Sequence, residues 1–253
     1  MGFAETANGR LFYTSYQKEN PSTLLLIHGA GGNHQSWPPV LRRLEKTAVY
    51  ALDLPGHGRS DPPAHDNIAA YADAVLAFVD ALDLQNVTLL GHSMGGAVAQ
   101  SVALRHHPSI TRLILLGTGA TLPVSDAILD GLLSSPEATV GMINKFSWAR
   151  TAPAEMVTMG EQVLLQVDPP VLHADFVACQ AFDQRDALGG IGLPTLVISG
   201  EKDKMTPVEN GRFLADNIPH ARFAVIKGGG HMMALEQPAA VAALIVEAMA
   251  DGE

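Results

Sequence analysis

The chain has 253 residues, 47% of them hydrophobic and 17% charged, a balance that fits a compact cored domain and excludes a disordered chain. Its 26 acidic residues outnumber 16 basic ones for a formal charge of −10, which argues against nucleic-acid or anionic-membrane partners. Cys179 is the single cysteine, so an intrachain disulfide or thiolate metal cluster is excluded; with no signal-like N-terminus and no apolar run of about 18 residues, the expected location is cytoplasmic.

In chain order, Asn8-Gly9 is a hairpin-turn signal between residues 2–7 and the aromatic and β-branched run 10–17, which read as an antiparallel edge. Thr23 to Ile27 is apolar at consecutive positions, as a strand buried on both faces of a parallel sheet must be. A glycine-rich turn follows, His28-Gly29-Ala30-Gly31-Gly32. Residues 38–46 suit a short helix, Thr47 to Leu52 a second buried strand, and Asp53 to Asp61 a loop. Ile68, Tyr71, Val75, Phe78, Val79 and Leu82 recur at helical spacing. A strand from Val87 to Gly91, a helix over 95–107 stopped near Pro108, and a strand from Thr111 to Leu116 continue the alternation. This order predicts an α/β fold with a right-handed, doubly wound, mostly parallel sheet.

The rhythm stops between residues 119 and 188, where helical patches are broken by Pro123, Pro136, Pro153, Pro169 and Pro170 and no strand is evident. We read this segment as a helical lid inserted into a core made of residues 1–118 and 189–253. The sheet resumes at Pro194 to Gly200 and Arg222 to Ile226, and a helix from about Pro238 to Ala250 closes the chain.

Gly91-His92-Ser93-Met94-Gly95, set between a strand and a helix, has the pattern of a nucleophile elbow, a tight turn that lifts a serine hydroxyl clear of the backbone. A serine needs an imidazole to take its proton, and the imidazole needs a carboxylate to orient it. The loop after the 194–200 strand offers Asp203, with Glu201 as a competitor. Gly228-Gly229-Gly230-His231, just after the last strand, offers His231 as the base. His106, His107, His220, His65 and His173 fail on position, His92 adjoins the serine with its ring expected to point away, and His28 is expected to shape its own turn. A tetrahedral intermediate also needs backbone donors, for which the Met94 and Ala30 N–H groups are the candidates.

Taken together, the His28-Gly29 turn, the Asp53-to-Asp61 loop, the elbow, the Asp203 loop and the Gly230-His231 end resemble the α/β-hydrolase superfamily, in its lid-bearing serine esterase and lipase-like branch. The resemblance implies a cofactor-free, metal-free hydrolase with Ser93, Asp203 and His231 as triad and Ala30 and Met94 as oxyanion donors. Serine at position 93 departs from the dehalogenase and epoxide-hydrolase branches, which carry aspartate there. The expected reaction is cleavage of small-molecule carboxylic esters with short-to-medium acyl chains through an acyl-enzyme. Met142, Trp148, Met205 and Met232 are the expected pocket residues, methionine suiting an adaptable apolar wall. Carbon–carbon, lactone or amide hydrolysis by the same triad is the alternative, and a slow-turnover ligand receptor a third reading. Oligomeric state is left open.

Overall fold

The computed structural model describes residues 1–7 and 9–250. Asn8, half of the expected hairpin turn, lies outside the described residues, but the flanking strands β1 (Gly2–Thr6) and β2 (Gly9–Tyr16) do pair antiparallel. There follow β3 (Thr23–Ile27), α1 (Pro39–Arg42), β4 (Ala48–Leu52), α2 (Ile68–Ala81), β5 (Val87–His92), α3 (Met94–Ala103) and β6 (Ile110–Leu116). Four helices come next, α4 (Asp126–Ser134), α5 (Pro136–Ser147), α6 (Ala154–Leu164) and α7 (Pro169–Gln180). The chain ends with β7 (Thr195–Gly200), α8 (Val208–Asn217), β8 (Ala221–Ile226), α9 (Met233–Glu236) and α10 (Pro238–Ala250).

The strands form one eight-stranded sheet in the order β1-β2-β4-β3-β5-β6-β7-β8. β1 and β2 are antiparallel to their neighbours, and every pairing from β4 to β8 is parallel. All five residues of β3 and of β4 are buried, because helices cover both faces. Leu25, Ile27 and Leu89 face a core built with Tyr71, Val75 and Phe78 of α2 and Val98 and Val102 of α3. Leu24, Leu26 and Leu90 face the opposite core, with Leu41 of α1 and Val241 and Ile245 of α10. Each such side chain withdrawn from water contributes roughly 1.5–3 kcal/mol before entropy is set against it. The chain adds β4 on one side of β3 and then β5 on the other. The carboxyl ends of β3 and β5 therefore flank the crevice where ligands bind in sheets of this kind.

Two helices are shorter than their sequence patterns suggest. The 38–46 segment is helical only over Pro39–Arg42, since Arg43 leaves helical geometry at φ −137°. The helix expected over 95–107 ends at Ala103, and His106 at φ 51° turns the chain before Pro108 is reached. The four helices between β6 and β7 enter and leave through a narrow neck. There Thr121 bridges Asp183, and the Gln184 N–H donates to the Ala120 carbonyl at 2.9 Å. They enclose a small core of their own, Leu132, Val140, Ile143, Leu172 and Phe176, against which Ala30 and Met205 pack. Among the described residues no helix is long and apolar enough to cross a membrane.

Candidate active site

Ser93 occupies the one-residue gap between β5 and α3 at φ 53°, ψ −119°, a strained backbone for a residue with a side chain. The surroundings hold it there. Its N–H donates to the Leu116 carbonyl at 3.0 Å, and its own carbonyl accepts from Thr118 Oγ1 at 2.9 Å and from the Gly96 N–H at 2.8 Å. Glycine is required on both sides of the bend. A Cβ at Gly91 would overlap the Gly95 carbonyl, and one at Gly95 would overlap the Ile27 carbonyl of β3. The helix can therefore seat directly on the strands. All ten residues of α3 are buried, so the elbow is set on a fully packed base. The Ser93 hydroxyl itself makes no hydrogen bond among the described residues.

Asp203 follows β7 and is 6% exposed. Its Oδ1 accepts from the Met205 and Thr206 N–H groups, each at 2.9 Å. Its Oδ2 accepts from Thr206 Oγ1 at 2.8 Å and from His231 Nδ1 at 2.9 Å. Burial would raise the carboxyl, but the His231 charge and hydrogen bond and the Thr206 donors outweigh it and hold Asp203 below the usual carboxylate range. Glu201, the sequence competitor, turns the other way: it is exposed and accepts from the Gly228 N–H at 2.8 Å.

His231 is 4% exposed, and its loop is clamped from two directions. Glu236 accepts from the Gly230 N–H at 2.7 Å and from the Ala149 N–H at 3.1 Å, while the Met232 N–H donates to the Ser147 carbonyl at 3.0 Å. The serine and histidine loops meet at one end of the sheet. His92, next to Ser93, donates from Nε2 to the His231 carbonyl at 3.0 Å, and the two rings lie 4.8 Å apart. Burial first, then the neighbouring His231, pushes His92 down to about 3, so it is neutral and serves as a strut. Left-handed Gly117 at φ 54° leaves room beside them; a Cβ there would lie 3.4 Å from Asp203 Oδ2 and 3.6 Å from His231 Nδ1.

The turn after β3 lies against the elbow, where a Cβ on Gly29 would be 3.1 Å from Ser93 Cβ. The Gly32 N–H closes the turn on the Gly29 carbonyl at 3.0 Å, with Gly31 left-handed at φ 64° in the third place, as a type II turn demands. His28 braces it as a neutral ring: Nε2 accepts from the Leu54 N–H at 3.0 Å, so the proton is on Nδ1, which donates to the Gly29 carbonyl at 2.8 Å. Burial and the neighbouring His57 push His28 down to about 4, in keeping with that state. Around this turn the amides of Gly31, Gly32 and Ser93 are all bonded, whereas those of Ala30 and Met94 have no partner among the described residues. Two free donors beside a free hydroxyl are what an oxyanion hole requires.

Of the four expected pocket residues, Met205 packs on the inserted core beside Ala30 and contacts Ser147 Oγ at 3.2 Å. Trp148 is buried with its Nε1 committed to Asn144 Oδ1 at 2.8 Å, Met232 adjoins His231, and Met142 is exposed on α5 outside the inserted core. Sequence reasoning did not single out Thr206, Glu236 or Asp175. Thr206 has a local signal, three residues beyond the acid; Asp175 has none, since its partners lie more than 100 residues away in the chain.

The Alpha/beta hydrolase family profile matches residues 24–244. A pimeloyl-[acyl-carrier protein] methyl ester esterase of Neisseria meningitidis is 30% identical over 239 residues, covering 87% of this chain and 89% of the relative. A 2-hydroxymuconate semialdehyde hydrolase of Pseudomonas sp. strain CF600 is 28% identical, over 91% of this chain and 87% of its own. Among solved structures, the enol-lactonase of Burkholderia xenovorans LB400 superposes with a TM-score of 0.90 at 25% identity, covering 99% of this chain and 100% of that one.

Proposed function

The chain belongs to the alpha/beta hydrolase family, and from that premise we propose that it cleaves small carboxylic esters through an acyl-enzyme on Ser93. The observation that carries this reading is an uncommitted serine hydroxyl on a strained elbow, whose neighbour His92 is bonded to the loop of His231, an imidazole whose Nδ1 is held at 2.9 Å by a buried carboxylate. With Nδ1–H donated to Asp203, the free lone pair of His231 is on Nε2, the state a general base needs. His231 takes the Ser93 proton as Oγ attacks the ester carbonyl. The negative oxygen of the tetrahedral intermediate accepts from the Ala30 and Met94 N–H groups. His231 then returns the proton to the leaving alcohol, giving the acyl-enzyme. Water, deprotonated by the same ring, releases the acid and restores Ser93.

We take the inserted helices to be a lid, and the apolar side they pack against Ala30 and Met205 to border the acyl chain. Apolar area removed from water there contributes about 25 cal/mol per Å², which favours apolar acyl groups over charged ones; a short-to-medium chain is the length we propose. The second reading, carbon–carbon or lactone hydrolysis, is favoured by the likeness to the semialdehyde hydrolase and the enol-lactonase. A panel of p-nitrophenyl esters, lactones, amides and vinylogous diketones tests both. Ester turnover that Ser93→Ala abolishes without unfolding the protein supports the proposal. Retained activity in that variant, or turnover confined to the diketones, overturns it.

A further inference from the structure

Asp175 is fully buried on α7, yet none of its side-chain hydrogen bonds stays within its own helix. Its Oδ2 accepts from the Gly31 N–H at 2.7 Å and lies 2.8 Å from His57 Nε2; its Oδ1 accepts from the Tyr71 hydroxyl at 2.6 Å. The three donors come from three separate parts of the core: the turn after β3, the loop after β4, and α2. His57 Nδ1 in turn faces the Pro55 carbonyl at 2.9 Å. Both ring nitrogens thus face acceptors, so both carry hydrogen when both bonds are made, and the pair is a buried imidazolium and carboxylate.

What makes this cluster more than a tie is the identity of Gly31. Turns of types I and II differ in the orientation of the central peptide, and a buried acceptor on its N–H favours one of the two. That peptide joins Ala30 to Gly31; the Ala30 N–H, the proposed oxyanion donor, lies on the preceding Gly29–Ala30 peptide, which shares the Ala30 Cα with it and whose carbonyl is held by the Gly32 N–H and His28 Nδ1. Ester cleavage by the triad gives Asp175 no role, and it belongs to the inserted helices that cover the site.

We propose that Asp175 is a positioning residue for the oxyanion turn: by anchoring the Gly31 N–H it fixes the place of the Ala30 Cα, and with it the Gly29–Ala30 peptide whose N–H is the donor. The inserted helices and the oxyanion hole are then one mechanical unit, and displacing α7 disarms the hole. This rests on the hydrolase reading of Ser93.

The test is Asp175→Ala, which takes the acceptor away from the Gly31 N–H and from the other two donors alike. On p-nitrophenyl acetate, kcat should fall about 10- to 100-fold with KM little changed, approaching the loss expected when an oxyanion donor is removed. Affinity for a trifluoromethyl ketone, whose carbonyl carbon bonds Ser93 Oγ and whose oxygen becomes the oxyanion, should weaken by the same factor. A merely structural role would lower the melting temperature and leave both values per folded molecule unchanged, which overturns the proposal. If Asp175→Ala does not fold, Tyr71→Phe removes one of the bonds that hold the carboxylate and keeps the ring; a two- to fivefold loss, by order of magnitude, in both readouts is expected, and none overturns it. A wild-type protein that labels with a fluorophosphonate but cleaves no ester sinks the ester reading alone, and the ketone affinities then decide. A wild type that does not label at Ser93 sinks both.

Discussion

Replacing Asp203 by Asn changes one atom, and the surrounding hydrogen bonds dictate how the new side chain must sit. The Met205 and Thr206 N–H groups at 2.9 Å both need an acceptor at the Oδ1 position, so the Asn oxygen must take that place. The NH₂ group then stands where Oδ2 stood, facing Thr206 Oγ1 and His231 Nδ1. The Thr206 hydroxyl can rotate to accept; the imidazole can accept only by giving up its Nδ1 proton. The ring is left with its proton on Nε2, toward the serine side, and has no lone pair with which to act as base. Triads of this kind lose about 10⁴ in kcat by the same tautomer reversal, or about 5 kcal/mol of transition-state stabilisation. The fold should lose far less, about 1 kcal/mol, because every backbone donor keeps an acceptor. Initial rates on p-nitrophenyl acetate at saturating substrate, with a thermal melt alongside, measure the two quantities separately. A loss under tenfold in a variant that melts like the wild type would refute the reasoning. Glu201→Gln is the internal control: Glu201 engages the Gly228 N–H and Lys202, so kcat should be unchanged.

Three further outcomes are expected. Thr206→Val removes the hydroxyl bond to Asp203 Oδ2 but keeps the backbone bond to Oδ1, so kcat should drop about tenfold; an unchanged value would show that the two backbone donors suffice. Gly95→Ala places a methyl group against the Ile27 carbonyl and should cost about 1–3 kcal/mol or more, read as a lowered urea midpoint or an insoluble chain. His57 is buried, which would lower it, but Asp175's charge and hydrogen bond raise it above its ordinary value. Its contribution to stability is therefore complete below the unfolded value of about 6.5 and is lost as pH rises through the folded one. His57→Gln should accordingly destabilise more at about pH 5.5 than at about pH 9 in urea melts, and an equal penalty at both would contradict the pair's charged state.

The parallel part of the sheet was readable because β3, β4 and β5 are apolar at consecutive positions, a pattern that only two-sided burial explains. The elbow and the Asp203 and His231 loops were readable because each follows such a strand, and chemistry in this architecture gathers at strand ends. α8 escaped notice since it buries only Gly211 and Leu214, too few for an apolar stripe. The early end of α3 was missed because the left-handed turn at His106 leaves no compositional mark before Pro108. Met142 and Trp148 illustrate a different limit. Residue type suggests an apolar wall, but what a side chain meets depends on helix packing, which leaves Met142 exposed and bonds Trp148 to Asn144. Asp175 lay deepest out of reach: a lone acid in a helical patch whose partners are 104 to 144 residues distant gives no local signal.

Grafting experiments that exchange the segment between β6 and β7 for that of another hydrolase inherit a constraint from this carboxylate. The recipient scaffold retains the Gly31 amide, the His57 ring and the Tyr71 hydroxyl, all pointing upward into whatever helix is transplanted. A donor segment with leucine at the matching position would strand those groups in a dry environment at about 1–3 kcal/mol apiece. Chimeras designed for new substrates should therefore be chosen first for an acid at that place, and only then for the contour of their binding cavity.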